Sequence, residues 1–172
     1  IDRGEGVCLS RAMQKVRYEE LLPHEFEARL RQRPLAYLPL GTLEWHERHL
    51  PLGSDMLING GIFARCAREF GGIVLPALYV APDACLSGPD GTMYYGMDIS
   101  DPAHPRQLTG SCYRVETELY AQLLEGLLVQ VARAGFKAVV AGGHAPADHC
   151  WAAHAPAWSA RTGLTLINLF HD

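Results

Sequence analysis

This chain has no apolar run of membrane-spanning length, no cysteine pair spaced for a metal knuckle, and no excess of basic residues. Each absence removes a class of function. A membrane-crossing helix needs about 20 mostly apolar residues, so no membrane contact is expected. The five cysteines (Cys8, Cys66, Cys85, Cys112 and Cys150) are scattered and odd in number. None forms a C-x-x-C pair, which argues against both a disulfide framework and a zinc ribbon. With 15 Lys and Arg against 19 Asp and Glu, the formal net charge is −4. A protein held by nucleic-acid phosphates needs a basic patch, so no nucleic-acid partner is expected either. The start of the chain does not have the charged-then-apolar layout of a secretory signal, and the expected location is the cytoplasm. There is no internal repeat and no low-complexity tract.

What remains is 172 residues, 48% of them apolar, enough for one domain with a real core. Met13 precedes Gln-Lys-Val-Arg-Tyr-Glu-Glu and reads like a natural start. Residues 1–12 are therefore expected to be an extension or cloning remnant, and 13–172 a single domain. The far end, from Leu164 to Asp172, stops straight after a strand-like run, so that domain is expected to lack its C-terminal part.

Along the chain, strand-like and helix-like segments alternate. Residues 23–33 carry Phe26 and Leu30 at helical spacing, with Pro23 in the first turn where proline is tolerated. Residues 35–40 form a short apolar strand. Residues 55–70 read as a helix with Asp55 or Ser54 at its N-terminus, and 73–80 as a strand broken by Pro76. Residues 82–110 are rich in Gly, Pro, Asp and Ser and are expected to form a long functional loop. The clearest helix is 115–134, where Leu119, Leu123, Leu124, Leu127, Leu128 and Val131 make an apolar stripe, read as core or partly as a subunit interface. A continuous apolar strand (136–141), a helix (147–161) and a last strand (164–170) follow. Uninterrupted apolar strands separated by amphipathic helices predict an α/β fold with a mainly parallel sheet covered on both faces.

The chemistry concentrates in Glu44-Trp45-His46-Glu47-Arg48-His49-Leu50-Pro51-Leu52-Gly53-Ser54-Asp55. In an extended segment, side chains two apart point the same way, so Glu44 and His46 can reach one point, and the Leu-Pro-Leu-Gly turn can return Asp55 to it. Carboxylate and imidazole donors converging in this way suit a divalent metal such as zinc or manganese. The alternative is a salt-bridged polar turn at the surface. His144 follows the second apolar strand, and in parallel sheets ligands gather at the carboxyl ends of strands. It either joins this cluster or caps the helix after it. Cys150 and His154, four apart, would share a helix face like a soft zinc pair, but packing beside Trp151 and Trp158 accounts for them more simply. Asp98, Asp101 and His104 lie in the long loop, where aspartates before proline commonly form turns. Tyr94 and Tyr95 either line a pocket or pack the loop.

Two stretches, Gly41-Thr42-Leu43-Glu44-Trp45-His46-x-x-His49-Leu50-Pro51-x-x-x-Asp55 and Gly135-Phe136-Lys137 leading to Gly143-His144, resemble the creatininase (creatinine amidohydrolase) family. The similarity runs from about Val16 to Asp172, the N-terminal two-thirds or so of a family member. It implies a three-layer α/β/α sandwich, assembly as a homo-oligomer (commonly a hexamer), and one or two divalent ions of zinc, manganese or iron. The implied activity is hydrolysis of a C–N bond in a small, typically cyclic, amide. By position, Glu44 and His144 would ligate one metal and His46 the other, with Asp55 bridging, and His49 would orient a ligand from outside the shell. Paired metals polarise a carbonyl and deliver a nucleophile at neutral pH.

The chain also departs from that pattern. The family's glycine-rich turn, often Gly-His-Gly-Gly-Asn, is here Gly143-His144-Ala145-Pro146-Ala147, and Pro146 has no backbone N–H to offer. Creatininases carry a glutamate two residues after the histidine to complete the second metal site; here that position is also Pro146. Asp148, His149, His171 and Asp172 are the candidates to substitute, and Asp148 and His149 are also pocket candidates. A relative that keeps the fold for binding or structure without turnover is the rival reading.

Overall fold

Strand β1 (Leu35–Leu40) is buried on both faces along almost its whole length, and the rest of the molecule is arranged around it. In the computed structural model, which describes residues 15–46, 48–96 and 111–170, the main sheet is four-stranded in the order β2-β1-β5-β6. Its other members are β2 (Ile73–Val74), β5 (Ala138–Gly143) and β6 (Thr165–Asn168), and every pairing is parallel. Helices α1 (Pro23–Gln32), α2 (Ser54–Phe70), α3 (Thr117–Arg133) and α4 (Ala145–Thr162) make the crossovers and the covers.

Side chains alternate across the sheet, and the two faces feed two separate cores. Ala36, Leu38 and Leu40 of β1, with Val139 and Ala141 of β5, face a large cluster holding Tyr120, Leu124, Leu128, Trp151 and Trp158 from α3 and α4. Tyr37 of β1, with Val140 of β5 packed beside it, turns to the opposite cluster, which holds Phe63, Ala64 and Ala67 of α2. The architecture is therefore a three-layer α/β/α sandwich, as the apolar strand pattern predicts.

The strand boundaries differ from expectation at the edges. β2 pairs over only two residues, because the chain leaves the ladder before Pro76, which has no N–H to give it. β6 ends at Asn168, two residues short of the apolar run. In α3 the buried stripe is Tyr120, Ala121, Leu124, Leu128 and Val131, while Leu119 and Leu123 face outward. The sequence stripe mixes the two faces because three- and four-residue steps sweep more than one side of a helix. Part of the expected long loop is ordered as an antiparallel hairpin, β3 (Cys85–Ser87) and β4 (Met93–Tyr95). Cys66, Cys85, Cys112 and Cys150 are all free thiols, and none of the described helices is long and apolar enough to cross a membrane.

The topology creates one special crevice. From β1 the chain crosses through α2 to β2 on one side, and from β5 it crosses through α4 to β6 on the other. Because β1 and β5 are neighbours, their connections leave in opposite directions. That is the switch point outside the carboxyl ends of strands where α/β sheets bind ligands.

Candidate metal centre

Both segments that carry the polar motif start at this crevice. Leu40 of β1 pairs with Gly143 of β5, and the backbone N–H of His144 donates to Leu40 O at 3.2 Å. The two strand ends are so close that a Cβ on Gly143 would stand 1.8 Å from Leu40 O. Glycine is needed there, and it brings His144 next to the start of the Glu44 segment.

Beyond β1, the Glu44 N–H donates to Leu52 O at 3.1 Å and closes the intervening loop. The turn then tightens as Ser54 donates from N–H to Pro51 O at 3.1 Å and from its hydroxyl to the same oxygen at 2.6 Å. Helix α2 starts at Ser54, so Asp55 sits in its first turn, where a carboxylate suits the positive end of the helix dipole. The expected return of Asp55 to Glu44 and His46 is thus made by a closed loop and a helix start.

The donor atoms converge. His144 Nδ1 lies 3.1 Å from Glu44 Oε1 and 3.3 Å from Asp55 Oδ2. His46 Nε2 lies 3.3 Å from Asp55 Oδ1 and 3.8 Å from Glu44 Oε1. Donors about 2.0–2.2 Å from a tetrahedral ion stand about 3.3–3.6 Å apart, so these spacings suit a metal. The two oxygens of Asp55 face different histidines, the disposition a bridging carboxylate needs.

Sequence reading missed a further carboxylate. Asp83 lies between Ala81, which is bridged to Arg114, and strand β3. Its Oδ1 lies 3.5 Å from His144 Nε2, with its side chain 1% exposed. Glu44, Asp83 and His144 form a second trio of converging donors beside Glu44, His46 and Asp55. No periodicity marks Asp83, and in the sequence it reads as one more polar residue of a loop rich in aspartate. Only the hairpin that follows it, which returns to the same place at Gly96, sets it apart.

The cluster is electrostatically unfinished. Glu44 Oε2, His46 Nδ1, both oxygens of Asp83 and His144 Nε2 are buried without a hydrogen-bond partner. Buried polar atoms are rarely left so, and ion-ligating groups are a usual reason. Beside them, a Cβ on Gly96 (φ +85°) would fall 3.5 Å from Glu44 Oε2 and 3.8 Å from Asp83 Oδ2. The glycine thus keeps the space next to those oxygens open. By these observations the residues fit a divalent ion.

Proton affinities follow the same geometry. Burial by itself disfavours a charged His144, but the surrounding carboxylates of Asp55, Asp83 and Glu44 outweigh it and push the imidazole up to about 11. Burial raises Glu44, assisted by the neighbouring Asp83 against the pull of His144. Burial would also raise Asp55, yet its contacts with His144 and His46 leave it lower than an ordinary aspartate. A dense nest of carboxylates holds a proton on His144 until something more positive replaces it.

The other sequence candidates are placed as follows. His144 occupies the N-cap position of α4, but its side chain makes no cap bond and points into the cluster. His49 is exposed in the turn before Pro51. Asp148 is buried in α4 and accepts from Gly143 N–H at 3.3 Å and Asn168 Nδ2 at 3.0 Å, while His149 is exposed on the same helix. Tyr94 and Tyr95 lie half-buried in β4, with the Arg114 guanidinium 4.6 Å over the Tyr95 ring. Cys150 is buried, and its neighbour His154 stacks on Trp158 at 5.2 Å, so that pair packs the core. Asp98, Asp101, His104, His171 and Asp172 fall outside the described residues.

Comparison with known proteins agrees with this picture. Residues 19–161 match the family profile described as Creatininase: Creatinine amidohydrolase. The chain belongs to the creatininase family. Among solved structures it is similar to one titled "Crystal structure of creatinine amidohydrolase (creatininase)", at 19% identity and TM-score 0.70, covering 91% of this chain and 57% of that one. It is similar to "Creatininase Mn", at 20% identity and TM-score 0.68, covering 91% and 58%. A mutant creatininase complexed with creatine is similar at 19% identity and TM-score 0.69, again covering 91% and 58%. At these identities the structures establish the fold. The chain spans less than two-thirds of the length of each. No curated protein matches it.

Proposed function

We propose that this creatininase-family chain is the metal-binding part of an amidohydrolase that cleaves a C–N bond in a small, cyclic, non-peptide amide. The observation that carries the reading is the meeting of Glu44, His46, Asp55 and His144 at the β1/β5 switch point. Glu44 Oε1, His144 Nδ1 and Asp55 Oδ2 would hold one ion. Asp55 Oδ1 and His46 Nε2 would face a second, with Asp55 bridging. Zinc or manganese suits the mixed oxygen and nitrogen donors, with iron an alternative.

An ion held there supplies Lewis acidity, making water nucleophilic near neutral pH and polarising a carbonyl. The chain's own residues do the rest. Glu44 and His144, both almost wholly buried, close the inner side of the site, while His46 and Asp55 are its more exposed members. Substrate and water therefore approach over His46 and Asp55. The carboxylates lower the cost of an ion in a poorly hydrated pocket, and Asp55 fixes the spacing of the two histidines. His49, Tyr94, Tyr95 and His149 are the residues we assign to the surrounding pocket and its supports. We also propose a homo-oligomer working in the cytoplasm on a small-molecule amide.

A second reading has one specific observation in its favour. Pro146, where creatininases carry a glutamate, lies in the first turn of α4 and offers neither a carboxylate nor an N–H. The chain would then bind an ion and a ligand without turning the ligand over. Protein purified without chelator and loaded with Mn²⁺ or Zn²⁺ should hydrolyse members of a panel of cyclic amides, and lose that activity on Asp55→Ala. An ion bound without hydrolysis of any panel member favours the second reading, and the absence of any ion removes both.

A further inference from the structure

We propose that Asp83 is a positioning residue: it takes the Nε2 proton of His144 as a hydrogen bond and so presents Nδ1 of that ring to the ion. This rests on the metal reading above and deepens it. The His144 ring stands between two acidic groups, with Nδ1 on the Glu44 and Asp55 side and Nε2 on the Asp83 side. A neutral imidazole has one donor and one acceptor nitrogen. With its lone pair at Nδ1, the ring carries its proton at Nε2, facing Asp83. Ligating histidines commonly make this second bond to a carboxylate, which fixes the tautomer and raises ligand basicity.

Two orphans identify the pair. His144 Nε2 and both oxygens of Asp83 are buried without a hydrogen-bond partner, and Nε2 and Oδ1 are 3.5 Å apart. A hydrogen bond between them would satisfy two buried groups at once, whereas leaving a buried carboxylate unpaired is costly. The hairpin contributes as well. It leaves the site after Asp83 and returns at Gly96, whose N–H donates to Ala84 O at 3.0 Å, so the position of the carboxylate is set by the folded base of β3 and β4.

The test uses the full chain loaded with ¹¹³Cd²⁺, with ¹⁵N-labelled histidine, read by NMR. The wild type is expected to show coupling from cadmium to Nδ1 of His144 and a slowly exchanging proton on Nε2. Asp83→Ala should lose the Nε2 proton signal and weaken ion binding roughly 10- to 100-fold. Asp83→Asn, whose side-chain oxygen still accepts, should recover most of that affinity. Cadmium coupled to Nε2, or unchanged affinity and an unchanged Nε2 signal in Asp83→Ala, overturns the positioning role while leaving the metal centre standing. A wild type that binds no cadmium, zinc or manganese removes the metal reading, and this one with it. Circular dichroism of each variant without metal checks that the fold is retained. If Asp83→Ala fails to fold, Asp83→Asn and the wild-type coupling pattern decide between the same two outcomes.

Discussion

His144 Nδ1 and Glu44 Oε1 lie 3.1 Å apart, each reaching from the end of a different strand of one parallel pair. Neither residue has a polar neighbour in sequence that would bring this about. Their meeting depends on the Leu40–Gly143 pairing one residue before the turn. Removing either partner should therefore disturb the ion before it disturbs the fold.

Ion content is the first test of that relationship. Asp55→Ala, which removes the carboxylate shared by both histidines, should abolish retention of zinc or manganese measured by elemental analysis. Glu44→Gln should weaken it by one to two orders of magnitude. In the wild type, an ion at a hundred times its dissociation constant should raise stability by about 2.7 kcal/mol, visible as a thermal shift that Asp55→Ala lacks.

A second expectation concerns pH. In the metal-free protein the His144 imidazole is raised to about 11, against about 6.5 in an unfolded chain. A folded-state value above the unfolded one favours the folded state fully below pH 6.5, and that contribution is lost as pH rises towards 11. Denaturant titrations of the metal-free protein should therefore show stability falling over this interval, and the slope should flatten in His144→Gln. Ion binding must displace the proton, so affinity should rise with pH. Calorimetry in buffers of different ionisation enthalpy should record proton release.

Gly143→Ala should be among the most damaging single-methyl changes in the chain. The added carbon would stand 1.8 Å from the Leu40 carbonyl oxygen and 2.7 Å from its carbon, a backbone clash that side-chain rotation cannot relieve. We expect a loss above about 3 kcal/mol in urea unfolding, or failure to accumulate as folded protein. An alanine variant as stable as wild type would contradict the strand-end geometry.

Asp148 separates a structural carboxylate from a pocket one. It accepts from the Gly143 N–H and the Asn168 amide, so Asp148→Ala should cost roughly 1–3 kcal/mol of stability and leave ion stoichiometry unchanged. Loss of an ion with stability intact would place it in the site instead.

Pro146 offers a gain-of-function experiment. It lies in the first turn of α4, where glutamate is compatible with the helix and favoured by its dipole. Pro146→Glu should raise the affinity for a second ion about tenfold or more, seen as an increase in bound metal per chain. No change would show that this position does not face the second ion.

The alternation of apolar strands and amphipathic helices was enough to fix the layered architecture, because burial on both faces of a parallel sheet leaves no polar positions in its central strands. Leu35–Leu40 and the run ending at Gly142-Gly143 therefore announced themselves, and so did the polar segment of Glu44, His46 and Asp55, whose members lie within one turn of chain. Asp83 was not legible. It comes from a loop with no period and reaches the cluster only because the β3/β4 hairpin folds back there. The fate of Asp148 was equally hidden, since its partners belong to β5 and β6. Local spacing encodes which side chains share a face. Which strand ends become neighbours, and hence which distant donors share one carboxylate-rich pocket, is decided by the register and crossover direction of the assembled sheet.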